Sequence, residues 1–295
     1  MLVNHVAQRL QRAAVFPEMD AALRLMSAQD EPAATEQPSR HTIIPVLYEL
    51  LTGEQATAIQ PFAMAWAVLF GATKRLDHLQ DGDLPDHPLP TRSTPNAQYN
   101  LMFAYYVLAH ALLDDLGAQG IPCDRILKLH HFWSDCVLRV ASGQQRDLEG
   151  TGWTSERGLA ALDQYQHIAH AKAGALFALA FGGAALLATD APGTITIFTF
   201  VGELFGTLLQ YNDDVLDAPS QPAPGLTLPH AYHVARTAQA AQLPHDTVAA
   251  YWHHVYQTYL SQVDQALAGL PPDIQQGILR LFATTFRSEP DARAT

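Results

Sequence analysis

Gly202-Glu203-Leu204-Phe205-Gly206-Thr207-Leu208-Leu209-Gln210-Tyr211-Asn212-Asp213-Asp214-Val215-Leu216-Asp217 is the stretch whose reading decides the fold. It reads as one helix, and its end sets Asp213 and Asp217 at i and i+4, on a single face. Apolar neighbours (Leu208, Leu209, Val215, Leu216) predict that this helix end is half-buried. A cluster of the same design, Asp77-His78-Leu79-Gln80-Asp81, lies far upstream, with Leu76 and Leu79 as its apolar neighbours. Several carboxylates held together in a partly dry space repel one another and tend to take up protons. A hard cation relieves that repulsion, and Mg²⁺ so bound keeps positions for the oxygens of a phosphate group. The two clusters therefore predict a metal–diphosphate site.

Working outward, helical periodicity dominates and strand-like alternation is scarce. Helices are expected over Leu2 to Met26 (interrupted near Pro17), Ile43 to Leu51, Ala56 to Gln80, Ala97 to Leu116 and Asp124 to Leu148. Further helices run from Ser155 to Ala188, with a break near Ala171, and from Thr194 to Leu216, with two or three more after Leu228. Thr194-Ile195-Thr196-Ile197 is β-branched, but it follows Pro192-Gly193 and leads into a helical pattern, so it reads as a helix start. Each acidic cluster ends a long helix and precedes a proline-rich loop, Gly82 to Pro95 and Ala218 to Pro224. Such ends are expected to meet at the mouth of one bundle. The fold class is all-α: a single domain over residues 1–295, built around a central apolar cavity. Residues 1–42 supply N-terminal helices and a connector, and the tail frays over 289–295.

A hydrophobic content of 48% with 16% charged residues describes a well-cored protein. The net charge of -12, with no basic stripe, argues against nucleic acid as a partner. Cys123 and Cys136 are too few for a disulfide framework and read as small core residues in a reducing compartment. Asn4, His5 and Gln8 interrupt what a signal peptide needs as an apolar run. The most apolar stretch, Ala171 to Ala188, starts beside Lys172 and contains three glycines, so no transmembrane segment is expected. The default location is cytoplasmic.

These residues resemble the trans-isoprenyl diphosphate synthases and the class I terpene synthases that share their fold. Gly202 to Asp217 is similar to the second aspartate-rich motif, a glycine-marked helix ending in Q-x-x-D-D-x-x-D. Gly225-Leu226-Thr227-Leu228-Pro229 resembles G-K-x-T-L-P, and Gly143-Gln144-Gln145-Arg146-Asp147-Leu148 resembles G-Q-x-x-D-L. Tyr165 through Lys172 to Phe177 is similar to the helix carrying a diphosphate-binding lysine, and Asp77 to Asp81 falls where D-D-x-x-D is expected. The pieces keep their order from about residue 40 to 235. The resemblance implies Mg²⁺ as cofactor, with Asp77, Asp81, Asp213 and Asp217 as catalytic metal ligands and Asp214 next. Lys172 is then a diphosphate contact, with a structural salt bridge as the plainer alternative, and Arg92 a second one, or else a loop arginine. Gln210 orients metal-bound water or substrate, or simply bonds within the core. Phe70, Phe177 and Tyr211, with Phe103, Tyr105, Tyr106, Phe181 and Phe205, would line a cavity whose aromatic faces steady a carbocation, although each alone also reads as core. Ala72, Thr73, Gly174, Gly182 and Gly183 suggest room for a C15 or C20 chain. A homodimer is the implied assembly.

The departures bear on function more than the matches do. The basic G-K-R-x-R-P segment that grips isopentenyl diphosphate is replaced by Arg40-His41-Thr42-Ile43-Ile44-Pro45, and isoleucine cannot supply forked donors. The paired arginines after the first cluster are reduced to Arg92, and the lysine of G-K-x-T-L-P is missing. Apparatus for one metal-bound prenyl diphosphate substrate remains, and most of that for a second is lost. The expected function is a class I terpene synthase that ionises one prenyl diphosphate and quenches the cation by water or deprotonation. A narrower likeness to bacterial diterpene synthases such as kolavelool synthase implies a bicyclic clerodane-type substrate. A prenyltransferase with an altered acceptor site and a non-catalytic subunit of a heteromeric synthase are the alternatives. His78, in place of the motif's middle aspartate, favours the last; a histidine there is a poor Mg²⁺ ligand and reads as a hydrogen-bond partner or proton acceptor.

Overall fold

The computed structural model describes residues 2–29, 42–81, 94–150, 159–217, 227–239, 243 and 245–286. Among them the regular elements are helices, and none is a strand. Helices α1 (Leu2–Ala13) and α2 (Pro17–Gln29) part at Pro17 as predicted, and α3 (Ile43–Thr52) follows. α3 stops at Gly53, whose φ of 69° is the left-handed conformation that ends helices. A 3-10 turn at Ala56–Ile59 leads into α4 (Gln60–Asp81). α5 (Pro95–Leu112) begins where the Thr94 hydroxyl accepts the Ala97 N–H, and it continues as a 3-10 stretch, Leu113–Gln119. Then come α6 (Cys123–Leu148), α7 (Ala160–Ala169), α8 (Ala175–Ala188) and α9 (Pro192–Asp217). The chain closes with α10 (Leu228–Gln239), α11 (Val248–Leu267) and α12 (Pro272–Thr285). The break expected near Ala171 is a π-turn, His170–Gly174, joining α7 to α8. The two proline-rich loops and the stretch before α3 lie mostly outside the described residues.

The chain forms two compact units, Met1–His131 with Leu186–Ala188, and Phe132–Ala185 with Thr189–Thr295. In the first, α4 is buried without interruption from Pro61 to Ala72. Alanines at 63, 65 and 67 alternate there with Phe62, Met64, Trp66 and Val68, so α5 packs along it. Each large side chain so buried contributes about 1.5–3 kcal/mol. After Ala72 the sequence turns polar and α4 emerges, with Lys74 and Asp81 exposed. Arg9 of α1 forks onto Asp115 (Nη2–Oδ1 2.6 Å, Nε–Oδ2 3.4 Å), and His110 and His130 meet through ring nitrogens at 2.9 Å.

In the second unit α9 packs against α7, the π-turn, α10 and α11. Its glycines make this possible: a Cβ on Gly202 would lie 2.5 Å from the Phe177 carbonyl oxygen. Phe205 fills the seam, its ring centroid 5.3 Å from Phe177, 5.4 Å from Phe181 and 5.1 Å from Phe282.

Apolar runs are longer than the Ala171 to Ala188 stretch suggests. Four helical stretches are long and apolar enough to cross a membrane by length and composition: Ala56–Asp81, Pro95–Gln119, Ala160–Ala188 and Pro192–Leu216. A helix apolar on all sides has the same composition in a protein core as in a bilayer. In the first and third, 78% of the most apolar window is buried inside the protein.

Candidate active site

The last turns of α4 carry Asp77, half-buried, and Asp81, exposed, one turn apart as the spacing predicts. Tyr106 of α5 lies beside Asp77: burial first, then the Asp77 charge, pushes its phenol above the ordinary value. Lys74 sits 6.0 Å from the Phe70 ring centroid and Arg75 5.8 Å from that of Tyr105, both cation–π contacts. Phe70 itself is 8% exposed, tilted against Trp66.

At the end of α9 two adjacent aspartates have different surroundings. Asp213 is exposed. Asp214 accepts from the Tyr165 hydroxyl (2.6 Å) and the Leu228 N–H (2.8 Å) on Oδ2, and from the Gln210 amide (2.8 Å) on Oδ1. Burial pushes its pKa up to about 6; these three donors pull it down and the Asp213 charge raises it. Leu228 opens α10, so the carboxylate ties that helix start to α7 and α9. Asp214 and Gln210 thus have structural partners that a metal or substrate would have to displace. Asp217 closes α9, and its side chain lies outside the described residues, as does Arg92.

Lys172 lies in the π-turn and donates to Asp147 Oδ2 of α6 at 2.7 Å, both side chains under 20% exposed (18% and 15%). Asp147 Oδ1 is buried without a hydrogen-bond partner among the described residues, as is Asn212 Oδ1. Sequence reasoning left Asp147 and Tyr165 without roles; their motif positions were the available signal. Tyr211 is 1% exposed, its ring 5.0 Å from Tyr165, and Phe177 is equally buried. Phe103, by contrast, is 69% exposed and lines no interior. Gly174 and Gly182 leave no spare room: added Cβ atoms would lie 2.9 Å from Thr207 Oγ1 and 2.3 Å from Thr199 Oγ1. They serve the contact between helices.

Magnesium fits the donor chemistry. Asp77 and Asp81 on α4, and Asp213 on α9, each offer hard carboxylate oxygens, and the buried Asn212 Oδ1 next to Asp213 has no hydrogen-bond partner among the described residues. Among the described residues no three His, Cys, Asp or Glu side chains form a group that would hold an ion by themselves. Mg²⁺ needs no such cage, since it takes one or two carboxylates and completes its shell with water and phosphate.

Comparison with known proteins sets the fold. The profile of the Polyprenyl synthetase family matches residues 95–224. The fold is that of the isoprenoid synthases. Farnesyl diphosphate synthase of T. brucei superposes with a TM-score of 0.72 at 15% identity, over 98% of this chain and 96% of that one. Geranylgeranyl pyrophosphate synthetase of Pyrococcus horikoshii gives 0.70 at 16%, over 97% and 98%. The heterotetrameric geranyl pyrophosphate synthase of mint gives 0.59 at 15%, over 95% and 97%. No curated protein sequence matches.

Proposed function

We propose that the protein is a class I terpene synthase that ionises one prenyl diphosphate of C15–C20 length and releases diphosphate. The observation that carries this reading is at the start of α3. Ile44, which stands where the resembling synthases carry the second arginine of G-K-R-x-R-P, is 1% exposed, and Ile43 beside it is 3% exposed. They pack as core, and neither offers a donor to a second diphosphate.

Cleaving the allylic C–O bond builds negative charge on the leaving group, and bound Mg²⁺ supplies stabilisation of that charge. Asp77, Asp81, Asp213 and Asp217 would hold the metal. Lys172 would contact the diphosphate, with Arg92 as a second contact. Asp147 holds the Lys172 ammonium in place. Buried aromatic side chains such as Phe177 and Tyr211 exclude water from the apolar part of the substrate. Loss of a proton or capture of one water ends the reaction. A bicyclic clerodane-type diphosphate giving a tertiary alcohol is the narrower form of the proposal. A homodimer is the proposed assembly: α5 contains no Asp, Glu, Lys or Arg, yet it exposes Tyr99, Phe103 and Val107 along one side.

Transfer to isopentenyl diphosphate or another acceptor is the second reading, favoured by the activities for which the superposed synthases are named. The mint heterotetramer keeps a non-catalytic subunit in view. Pure protein with Mg²⁺ and C10, C15, C20 or clerodane-type diphosphates separates these. Pyrophosphate and a terpene from a single substrate support the proposal. Product only with an added acceptor supports transfer, and inertness throughout supports the subunit.

A further inference from the structure

Counted from Tyr165 in steps of three and four, an unbroken α-helix puts residues 169, 172 and 176 on one stripe with it. The contacts run differently. Facing α9 are Tyr165 (to Asp214), His170 (to Thr207 Oγ1, 3.3 Å), Gly174 (beside Glu203 and Thr207) and Phe177 (against Phe205). The π-turn has added a residue to the stripe. Lys172, which an α-helix would set in the α9 seam, is turned to α6, where it meets Asp147.

The widened turn fits because its walls lack side chains. A Cβ on Gly143 of α6 would lie 2.8 Å from the Ala171 Cβ and 2.9 Å from the Lys172 nitrogen; one on Gly206 of α9 would lie 2.2 Å from the Ala173 carbonyl oxygen. Fit alone does not hold the turn open, and His170 does. The Thr207 hydroxyl already donates to the Glu203 carbonyl (2.8 Å), so toward His170 it accepts, which puts the ring proton on Nδ1. Nε2 then accepts from the Tyr259 hydroxyl (3.0 Å), whose oxygen takes the Gln166 amide (3.1 Å). Glu203 Oε1 lies 3.8 Å from Nδ1 and is ion-paired with Arg139 of α6. One imidazole so joins the π-turn to α9 and α11, and through Glu203 to α6.

We propose that His170 and Glu203 are positioning residues for Lys172, pinning the π-turn open and so directing that ammonium toward Asp147. The functional side of this rests on Lys172 as a diphosphate contact. Without the clamp the turn relaxes to α-helix, and losing one residue from the turn rotates α7 against α8 by about 100°. Lys172 then leaves Asp147.

Reductive methylation of the substrate-free protein reads this directly, because the chain has three lysines, Lys74, Lys128 and Lys172. In the wild type Lys172 is expected to react about tenfold more slowly than the exposed Lys128. In His170→Ala and in Glu203→Gln its rate rises to within about twofold of Lys128, and His170→Gln, which keeps a donor and an acceptor, restores the protection. A Lys172 that stays slow in either folded variant overturns the role given to that residue. Should His170→Ala not fold, Glu203→Gln, isosteric and only uncharged, decides. With prenyl diphosphate the two variants raise KM about tenfold and change kcat less, since a binding contact is misdirected; a fall in kcat alone contradicts positioning. If the wild type releases pyrophosphate from no prenyl diphosphate, the proposed function fails while the lysine rates still judge this inference.

Discussion

Asp213 and Asp214 are neighbours with different work, and single substitutions separate them. Asp213 is exposed, so Asp213→Ala is expected to abolish pyrophosphate release and move stability by no more than about 0.5 kcal/mol. Unchanged turnover would remove it from the metal site. Asp214→Ala strands the Tyr165 hydroxyl, the Gln210 amide and the Leu228 N–H. Denaturant unfolding should show a loss of about 2–4 kcal/mol. His110 supplies a pH test. Burial first, then His130, holds its pKa below the ordinary 6.5, against the opposing pull of Asp114. The unfolded chain therefore takes this proton more readily. The contribution to stability is complete above 6.5 and declines as pH falls through the lower folded value. The Tm advantage of wild type over His110→Gln should shrink between pH 7 and pH 5; a constant gap would contradict the lowered value for His110. Arg9, Asp115 and His5 face the same cluster, which is why the comparison is made against a variant.

Helices were legible from period and punctuation, and the proline at 17 and the long α6 stand where the sequence places them, while α5 starts two residues before the expected Ala97, capped by Thr94. The carboxylate pairs were legible for the same reason, since one-turn spacing is local. What was not legible depends on partners remote in sequence. Asp214 finds its third donor on α10, and His170 finds Tyr259 on α11. The break near Ala171 could be placed, but its π geometry depends on room left by glycines on two other helices and on the remote partners of His170. That geometry has a stability test. Gly206→Ala forces a Cβ to 2.2 Å from a carbonyl oxygen, whereas Gly193, in the first turn of α9, has nothing within 4 Å of the added atom. Gly206→Ala should cost about 3 kcal/mol, while Gly193→Ala should be neutral or stabilise by about 0.5 kcal/mol. Equal effects would mean that α9 can move away from the turn at little cost.

At the scale of the whole molecule, charge and apolar surface are distributed unevenly. A chain of net charge -12 keeps charged side chains off the whole of α5, which is expected of a face covered in the working assembly. Sedimentation should give twice the 32.2 kDa chain mass, and Phe103→Glu should return the monomer; a monomeric wild type would contradict the dimer. Ile44, buried where an arginine is expected, carries the functional claim, that one diphosphate suffices. The most direct measurement is product analysis with Mg²⁺ and single prenyl diphosphates, run with and without isopentenyl diphosphate. Stoichiometric pyrophosphate and a terpene of unchanged carbon number, indifferent to isopentenyl diphosphate, is the expected result. A product five carbons longer that forms only when isopentenyl diphosphate is present would contradict it.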